Sequence, residues 1–438
     1  MTAIIHWQTA PANTLQGNIT VPGDKSISHR AIMLGALAEG TTEVSGFLEG
    51  EDCLSTMRAF QAMGVPITHH GEGRVTINGK GLNGLSAPQH ALDVGNSGTS
   101  MRLMAGVLVG QNFASELVGD HSLMKRPMRR VTDPLRLMGA NITASEAGTA
   151  PLNIAPSELH GIDYALPVES AQLKSCLLLA GLYAQGRTTL RNCGRSRDHS
   201  ERMLRGFGVQ LDIDGDTIII DGGQTLTATD VIVPGDVSSA AFFIVAALIA
   251  PAGEVLINNV GMNPTRSAVI DILQAMGGQI EVLNQRESGG EPVADLRVKA
   301  SKLKGIEIDP KHVPIAIDEF PVIFIAAACA EGTTYASDLG ELRVKESDRL
   351  ATMARGLLAN GVDCEEGETS LTIHGGGIRG GGTVNSIGDH RIAMSFAVAG
   401  IVAEQPIVIE DCATVATSFP NFRELAAQIG MSIEVCDA

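Results

Sequence analysis

The residues of this 438-residue chain that could do chemistry stand at a few recurring places. Six short stretches each precede a long apolar segment: DKS (24–26), GNSGT (95–99), ESAQ (169–172), DVSS (236–239), IDEF (317–320) and GDHR (388–391). Ser, Asp and Asn at such places are ordinary helix N-caps, because four backbone N–H groups at a helix start lack an intrahelical acceptor. Capping does not explain Lys25 or Arg391. A cation at a helix N-terminus opposes the helix dipole, so its presence calls for an anion held between it and the exposed N–H groups. A phosphate or a carboxylate would serve.

A second set lies ahead of further helix-like segments: KRP (125–127), SRDH (196–199) and RVKESDR (343–349). A solvated helix start with local ion pairs accounts for SRDH alone. RVKESDR, in which Arg343, Lys345 and Arg349 alternate with Glu346 and Asp348, is denser than that reading needs. It stands at the same repeat position as KRP, as expected if two lobes close over one polyanionic substrate.

The elements that must position these residues recur six times. Each copy is an apolar helix, a short strand, a loop, a second amphipathic helix, and a Gly leading into a strand. That Gly falls at 64, 139, 208, 277, 361 and 430, giving spacings of 75, 69, 69, 84 and 69 residues. The period is too long for a solenoid, usually 20 to 50 residues, and fits a closed assembly of small α/β subdomains. VPGDKSISHRAIMLGALA at Val21 is echoed by VPGDVSSAAFFIVAALIA at Val233, which divides the copies three and three. With the two P-G-D turns as hinges, residues 22–236 form one lobe, and residues 1–21 plus 237–438 form the other, discontinuous one.

Length and composition agree with two cores and narrow the class. The net charge of −17, with three tyrosines and one tryptophan, speaks against a nucleic-acid partner. The longest apolar run, Ala240 to Ala250, is about half a bilayer span, and the first residues lack the basic flank and apolar stretch of a signal peptide, so a cytoplasmic location is expected. Seven cysteines without C-x-x-C spacing read as reduced thiols, and no metal site is indicated. GEGRVTINGKG fails the phosphate-loop pattern and reads as a hairpin. GGGIRGGG (375–382) reads as a loop between strands, and His69, His70 and His90 as surface residues.

PGDKSISHR, GNSGTSMR, KRP, SAQ, RVKESDRL and GDHRIAM, in this order from Pro22 to Met394, resemble the EPSP synthases, which act in aromatic amino acid biosynthesis by way of chorismate. DKSISHR, SAQLKS and ATSFP are most similar to the second, bacterial sequence class. The resemblance implies an α/β fold made as a two-lobed inside-out α/β barrel, with six βαβαββ repeats, three per lobe. It implies a monomer without metal or organic cofactor, whose partners are shikimate 3-phosphate and phosphoenolpyruvate. Residue by residue, it implies that Lys25, Ser26, Arg30, Ser170, Ala171, Gln172, Ser196, Arg197, Asp318 and Lys345 bind shikimate 3-phosphate. Lys25, Asn96, Gly98, Arg126, Gln172, Arg349 and Arg391 match the phosphoenolpyruvate subsite. Asp318, Glu346, Lys25 and His390 are the catalytic group: Asp318 as acceptor of the 5-hydroxyl proton, Glu346 at the methylene carbon, Lys25 at the departing phosphate, His390 assisting.

Two departures stand out. Thr417 replaces a Lys found before the terminal S/T-F-P in first-class members, and Leu103 stands where they have Pro. Gly98 is a first-class residue beside the subsite that the inhibitor glyphosate occupies in this family, which implies sensitivity. Two other readings are the enolpyruvyl transferase acting on UDP-N-acetylglucosamine, which would carry Lys-Asn at 25–26 and a reactive cysteine in the second repeat, and a noncatalytic repeat scaffold.

Overall fold

A computed structural model describes residues 5–194 and 196–436. It divides into two compact units: Gly23–Val233 with Ser288–Gly290, and Met1–Pro22 with Pro234–Glu287 and Glu291–Ala438. The divisions fall one to three residues inside the sequence-derived boundaries at 22 and 236, and Ser288–Gly290 goes with the first unit. Residues 1–4 of the expected N-terminal segment lie outside the described residues.

In the first unit, helices α1 (Lys25–Leu37), α2 (Glu51–Ala62), α3 (Gly98–Leu108), α4 (Arg129–Leu137), α5 (Ala171–Gly181) and α6 (His199–Gly206) form three pairs. The first member of each pair, α1, α3 or α5, is buried on almost every side beyond its first turn. Helices apolar all round belong in a core. At the contact of α3 with α5, a Cβ on Gly106 would stand 2.2 Å from the carbonyl oxygen of Cys176, so only glycine permits this approach.

Each pair goes with a four-stranded sheet of the same order. These are Val231–Ile232, Thr41–Ser45, Arg74–Asn78, Ile67–Gly71; then Leu92–Asp93, Ser115–Val118, Leu152–Ala155, Asn141–Thr143; then Asp163–Ala165, Arg187–Arg191, Thr217–Asp221, Leu211–Asp214. The first pairing in each sheet is parallel and the rest antiparallel. A parallel neighbour needs a crossover, which α3 and α5 supply in the second and third sheets, whereas the leading strand of the first sheet, Val231–Ile232, comes from the far end of the unit. Strands such as Thr41–Ser45 alternate buried and exposed residues, so one face covers the helices and the other meets water. GEGR closes the hairpin of Ile67–Gly71 with Arg74–Asn78, Glu72 and Gly73 both having positive φ (53° and 70°).

The second unit repeats the scheme with α7 (Val237–Ile249), α8 (Ala268–Ala275), α9 (Val313–Ala316), α10 (Phe320–Cys329), α11 (Arg349–Ala359), α12 (His390–Ala399) and α13 (Phe422–Gln428). Buried helices α7, α10 and α12 pack on one another. Its sheets borrow from the N-terminal segment: Leu15–Thr20 runs parallel to Gly253–Gly261, and His6–Ala10 lies between Val408–Glu410 and Ser432–Cys436. The middle sheet has three strands, Thr333–Ala336, Leu371–His374 and Asp363–Glu366, with isolated parallel bridges from Lys304 to Glu331 and from Glu307 to Tyr335 in place of the leading strand.

Gly64, Gly139, Gly208, Gly277, Gly361 and Gly430 all have left-handed backbone, φ between 79° and 97°. In each case the Gly N–H donates to the carbonyl three residues back, and the next N–H to the carbonyl five residues back, as in Gly64→Gln61 and Val65→Phe60 (3.0 and 3.1 Å). This is the Schellman ending, which occupies carbonyls a helix would otherwise leave bare. The six-fold glycine spacing is therefore a spacing of helix ends.

Among the described residues no cysteines are joined. Burial pushes the thiols of Cys176, Cys329 and Cys412 up to about 12 and those of Cys193 and Cys364 to about 11. No described helix is long and apolar enough to cross a membrane.

Candidate active site

The polar stretches cap the buried helices as the sequence leads one to expect, with one exception. Side chains of Asp24, Ser97, Ser170, Asp236 and Asp389 accept backbone N–H bonds in the first turns of α1, α3, α5, α7 and α12. At α10 the cap position is Glu319 and its side chain makes no capping bond. Asp318 stands one residue further out and so is not an N-cap. It is available for other contacts.

In the first unit, Lys25 opens α1 and forms an ion pair with Asp52 in the first turn of α2. Ser26, partly exposed, follows it. Arg30 sits one turn deeper and is 4% exposed. It ties three elements together, donating from Nε to Ser200 Oγ (2.7 Å), from Nη2 to Ser175 Oγ (2.8 Å) and from Nη1 to the Ser26 carbonyl (3.0 Å).

At the start of α3, Arg126 Nη2 donates to Asn96 Oδ1 (2.7 Å), and Asn96 Nδ2 donates to Asp120 Oδ2 (2.6 Å). Gln172 joins the same group across helices: its Oε1 accepts from Arg102 Nη1 (2.5 Å) and its Nε2 donates to Thr99 Oγ1 (3.1 Å). Gly98 lies among these guanidinium groups, where a Cβ would be 3.0 Å from Arg102 Nη1 and 3.3 Å from Arg126 Nη1. Ser170 caps α5 and Ala171 begins it. Ser196 lies apart from this group; it is buried and donates Oγ to the Cys193 carbonyl (2.7 Å), while its own carbonyl accepts from Lys174 Nζ (3.1 Å). Lys174 is itself buried and paired with Glu201 (2.6 Å). Arg197, next along the chain, is partly exposed.

In the second unit the predicted residues form one cluster around Arg349, which is 1% exposed. Its Nε donates to Asp389 Oδ2 (2.8 Å), its Nη1 to Asp318 Oδ1 (3.2 Å) and its Nη2 to Glu346 Oε2 (2.5 Å). Burial works against its charge, but the carboxylates of Asp389, Glu346 and Asp318 outweigh burial and hold the guanidinium far above its ordinary pKa. Lys345 Nζ reaches the same Asp318 oxygen at 3.2 Å. Arg391 Nη1 donates to the Asp318 carbonyl (2.8 Å) and lies 3.7 Å from Glu319 Oε1. Arg343 is directed elsewhere, to Asp348 and Glu366 (both 2.8 Å). His390 is the buried first residue of α12, between Asp389 and Arg391 in the chain.

Three cations and four carboxylates, Glu319 included, thus meet where the sequence leads one to expect an anion. Removing one member of such a buried set costs more than an exposed pair would, because its partner is left uncompensated. An incoming carboxylate or phosphate finds Arg forks already aligned by carboxylates and competes for the same donors. Sequence reasoning missed the partners Asp52, Asp389, Glu319, Arg102 and Lys174. All but Asp52 stood inside a quoted motif, but nothing local says which residue faces which. Among the described residues no group of His, Cys, Asp and Glu has the makings of a metal site.

Residues 9–425 match the family model described as EPSP synthase (3-phosphoshikimate 1-carboxyvinyltransferase). The chain belongs to the EPSP synthase family. Its relatives include the 3-phosphoshikimate 1-carboxyvinyltransferase of Methylococcus capsulatus, 59% identical over 97% of each chain. The enzyme of that name from Alkalilimnicola ehrlichii is 57% identical over 99% of this chain and 98% of its own. Among solved structures, EPSP synthase from Acinetobacter baumannii matches with a TM-score of 0.90 and 52% identity, covering 99% of this chain and 100% of that one. As a member of the EPSP synthases the chain is a transferase with the enolpyruvyl transferase fold expected of them.

Proposed function

We propose that this chain transfers the enolpyruvyl group of phosphoenolpyruvate to the 5-hydroxyl of shikimate 3-phosphate and releases phosphate. The family match gives the reaction class; the observation that carries it to these residues is the Asp318–Lys345–Arg349–Glu346 cluster, which holds two carboxylates among cations beside a third cation, Arg391. In this reading Glu346 gives a proton to the methylene carbon, and Asp318 takes the proton of the 5-hydroxyl as its oxygen bonds to the neighbouring carbon. The carbon–oxygen bond to phosphate then breaks, a proton leaves the methyl group, and the double bond is restored. Lys25 balances charge on the departing phosphate and His390 assists the proton transfers. Positioned acids and bases of this kind each contribute about 100- to 10,000-fold.

Ser26, Arg30, Ser170, Ala171, Gln172, Ser196, Arg197 and Lys345 hold shikimate 3-phosphate in this reading. Asn96, Gly98, Arg126, Gln172, Arg349 and Arg391 hold phosphoenolpyruvate, with Lys25 serving both. Arg30 also fixes α1 against its neighbours, giving donors to the Ser26 carbonyl and to the Ser175 and Ser200 hydroxyls. Action as a monomer in the cytoplasm belongs to the same reading; the unjoined cysteines suit a reducing compartment. The test is phosphate release from phosphoenolpyruvate with shikimate 3-phosphate as acceptor. Release only with UDP-N-acetylglucosamine, or with neither acceptor, would overturn it.

A further inference from the structure

The chemistry above leaves His29 without a task, although it lies in α1 one turn beyond Lys25. Its ring is wholly buried. Nδ1 lies 2.8 Å from Thr56 Oγ1 and 3.3 Å from Ser100 Oγ, and Nε2 lies 3.4 Å from Ser97 Oγ. The hydroxyls continue among themselves: Thr56 Oγ1 and Ser100 Oγ are 2.6 Å apart, and Ser100 Oγ donates to Ser97 Oγ at 2.8 Å. None of the four residues is more than 1% exposed.

This cluster joins the starts of three helices. Thr56 Oγ1 lies 3.3 Å from the carbonyl of Asp52, the residue in α2 that pairs with Lys25. Ser97 is the cap of α3 and stands between Asn96 and Gly98. We propose that His29 is a positioning residue for phosphoenolpyruvate: directly through Ser97, and through Thr56 and Ser100, it fixes the Asn96–Gly98 turn, which serves phosphoenolpyruvate alone, against α1 and α2. The inference rests on the functional reading given above.

The residue type suits the task. An imidazole carries a nitrogen at each end of a rigid ring, and each here faces hydroxyls that can donate or accept, so either neutral tautomer is accommodated. Burial first, then Lys25 and Arg30, hold its pKa well below 6.5, with Asp24 opposing. The ring is thus neutral near pH 7 and adds no charge beneath Lys25. A leucine of similar bulk would fill the space but leave buried hydroxyls short of a partner, a loss felt through the whole network.

The test is steady-state kinetics of the full-length enzyme with both substrates varied. His29→Leu is expected to raise KM for phosphoenolpyruvate about tenfold and leave KM for shikimate 3-phosphate within about twofold, and His29→Asn, which keeps a donor and an acceptor, to recover most of the loss. Ser100→Ala, a smaller change to the same cluster, is expected to raise KM for phosphoenolpyruvate about threefold. A folded His29→Leu enzyme with wild-type KM for phosphoenolpyruvate, or with both KM values raised together, overturns the proposal. If His29→Leu does not fold, an unchanged KM in Ser100→Ala overturns it. Absence of turnover in the wild type overturns the functional reading instead, and this inference with it.

Discussion

Asp318 Oδ1 is shared by Lys345 and Arg349, each at 3.2 Å. Asp318→Asn keeps the size and one acceptor oxygen but cannot take a proton, so kcat is expected to fall about a hundredfold or more while circular dichroism stays native. Turnover near wild type would remove Asp318 from the mechanism. Gly98 poses a different problem, of room. A methyl group there would press on Arg102 and Arg126 at 3.0 and 3.3 Å, but those contacts are the ends of flexible side chains and can yield. Gly98→Ala should therefore fold, bind phosphoenolpyruvate a few-fold more weakly, and lose glyphosate inhibition about tenfold or more, since the longer ligand meets the new methyl group first. Inhibition titrations of both proteins against varied phosphoenolpyruvate decide this; equal glyphosate tolerance would show that the space beside residue 98 does not select between them. The types of these residues were legible in their motifs. Their partners were not: Lys25 with Asp52, or Gln172 with Arg102, are separated by 27 and 70 residues, and only the packed helices bring them together.

Helix α6 carries two glycines two residues apart that the backbone treats oppositely. Gly206 is its last helical residue, and a methyl group there would meet open space, whereas Gly208 ends the helix with φ of 86°. Gly206→Ala is expected to stabilise by up to about 1 kcal/mol, because alanine loses less conformational freedom in a helix. Gly208→Ala is expected to destabilise by about 1 to 2 kcal/mol, because an L side chain is strained in the left-handed region. Thermal midpoints should move in opposite directions; a shared direction would mean that local packing, not backbone conformation, governs this helix end. The same glycine register made the six repeats legible, since a Schellman ending leaves a residue-specific mark in the sequence. The exception at α10, and the absence of a full leading strand from the middle sheet of the second unit, left no comparable mark. Strand pairing was still less visible: nothing in residues 6–10 announces partners near residues 409 and 434.

At the scale of the whole molecule, two separate cores exist, and every buried member of the first lies between Ile27 and Val233. The other draws on Trp7 to Val21 and Val237 to Ile433, so the N-terminal segment is as much a part of it as the last repeat. A unit with its own core and a nearly continuous stretch of chain can fold alone. We expect residues 23–233, expressed by themselves, to give a soluble fragment with cooperative unfolding. The end point matters, because Val231–Ile232 is the leading strand of the first repeat, paired in parallel with Val44 and Ser45. Without it, the edge of Thr41–Ser45 is left bare, and buried Val231 and Val233 leave the core. A fragment ending at residue 228 should therefore aggregate or melt at lower temperature than one ending at 233. Differential scanning calorimetry of the two fragments measures the contribution of those five residues. Equal melting would mean that the first sheet is stable with three strands, and an unfolded longer fragment would mean that this unit depends on the rest of the chain.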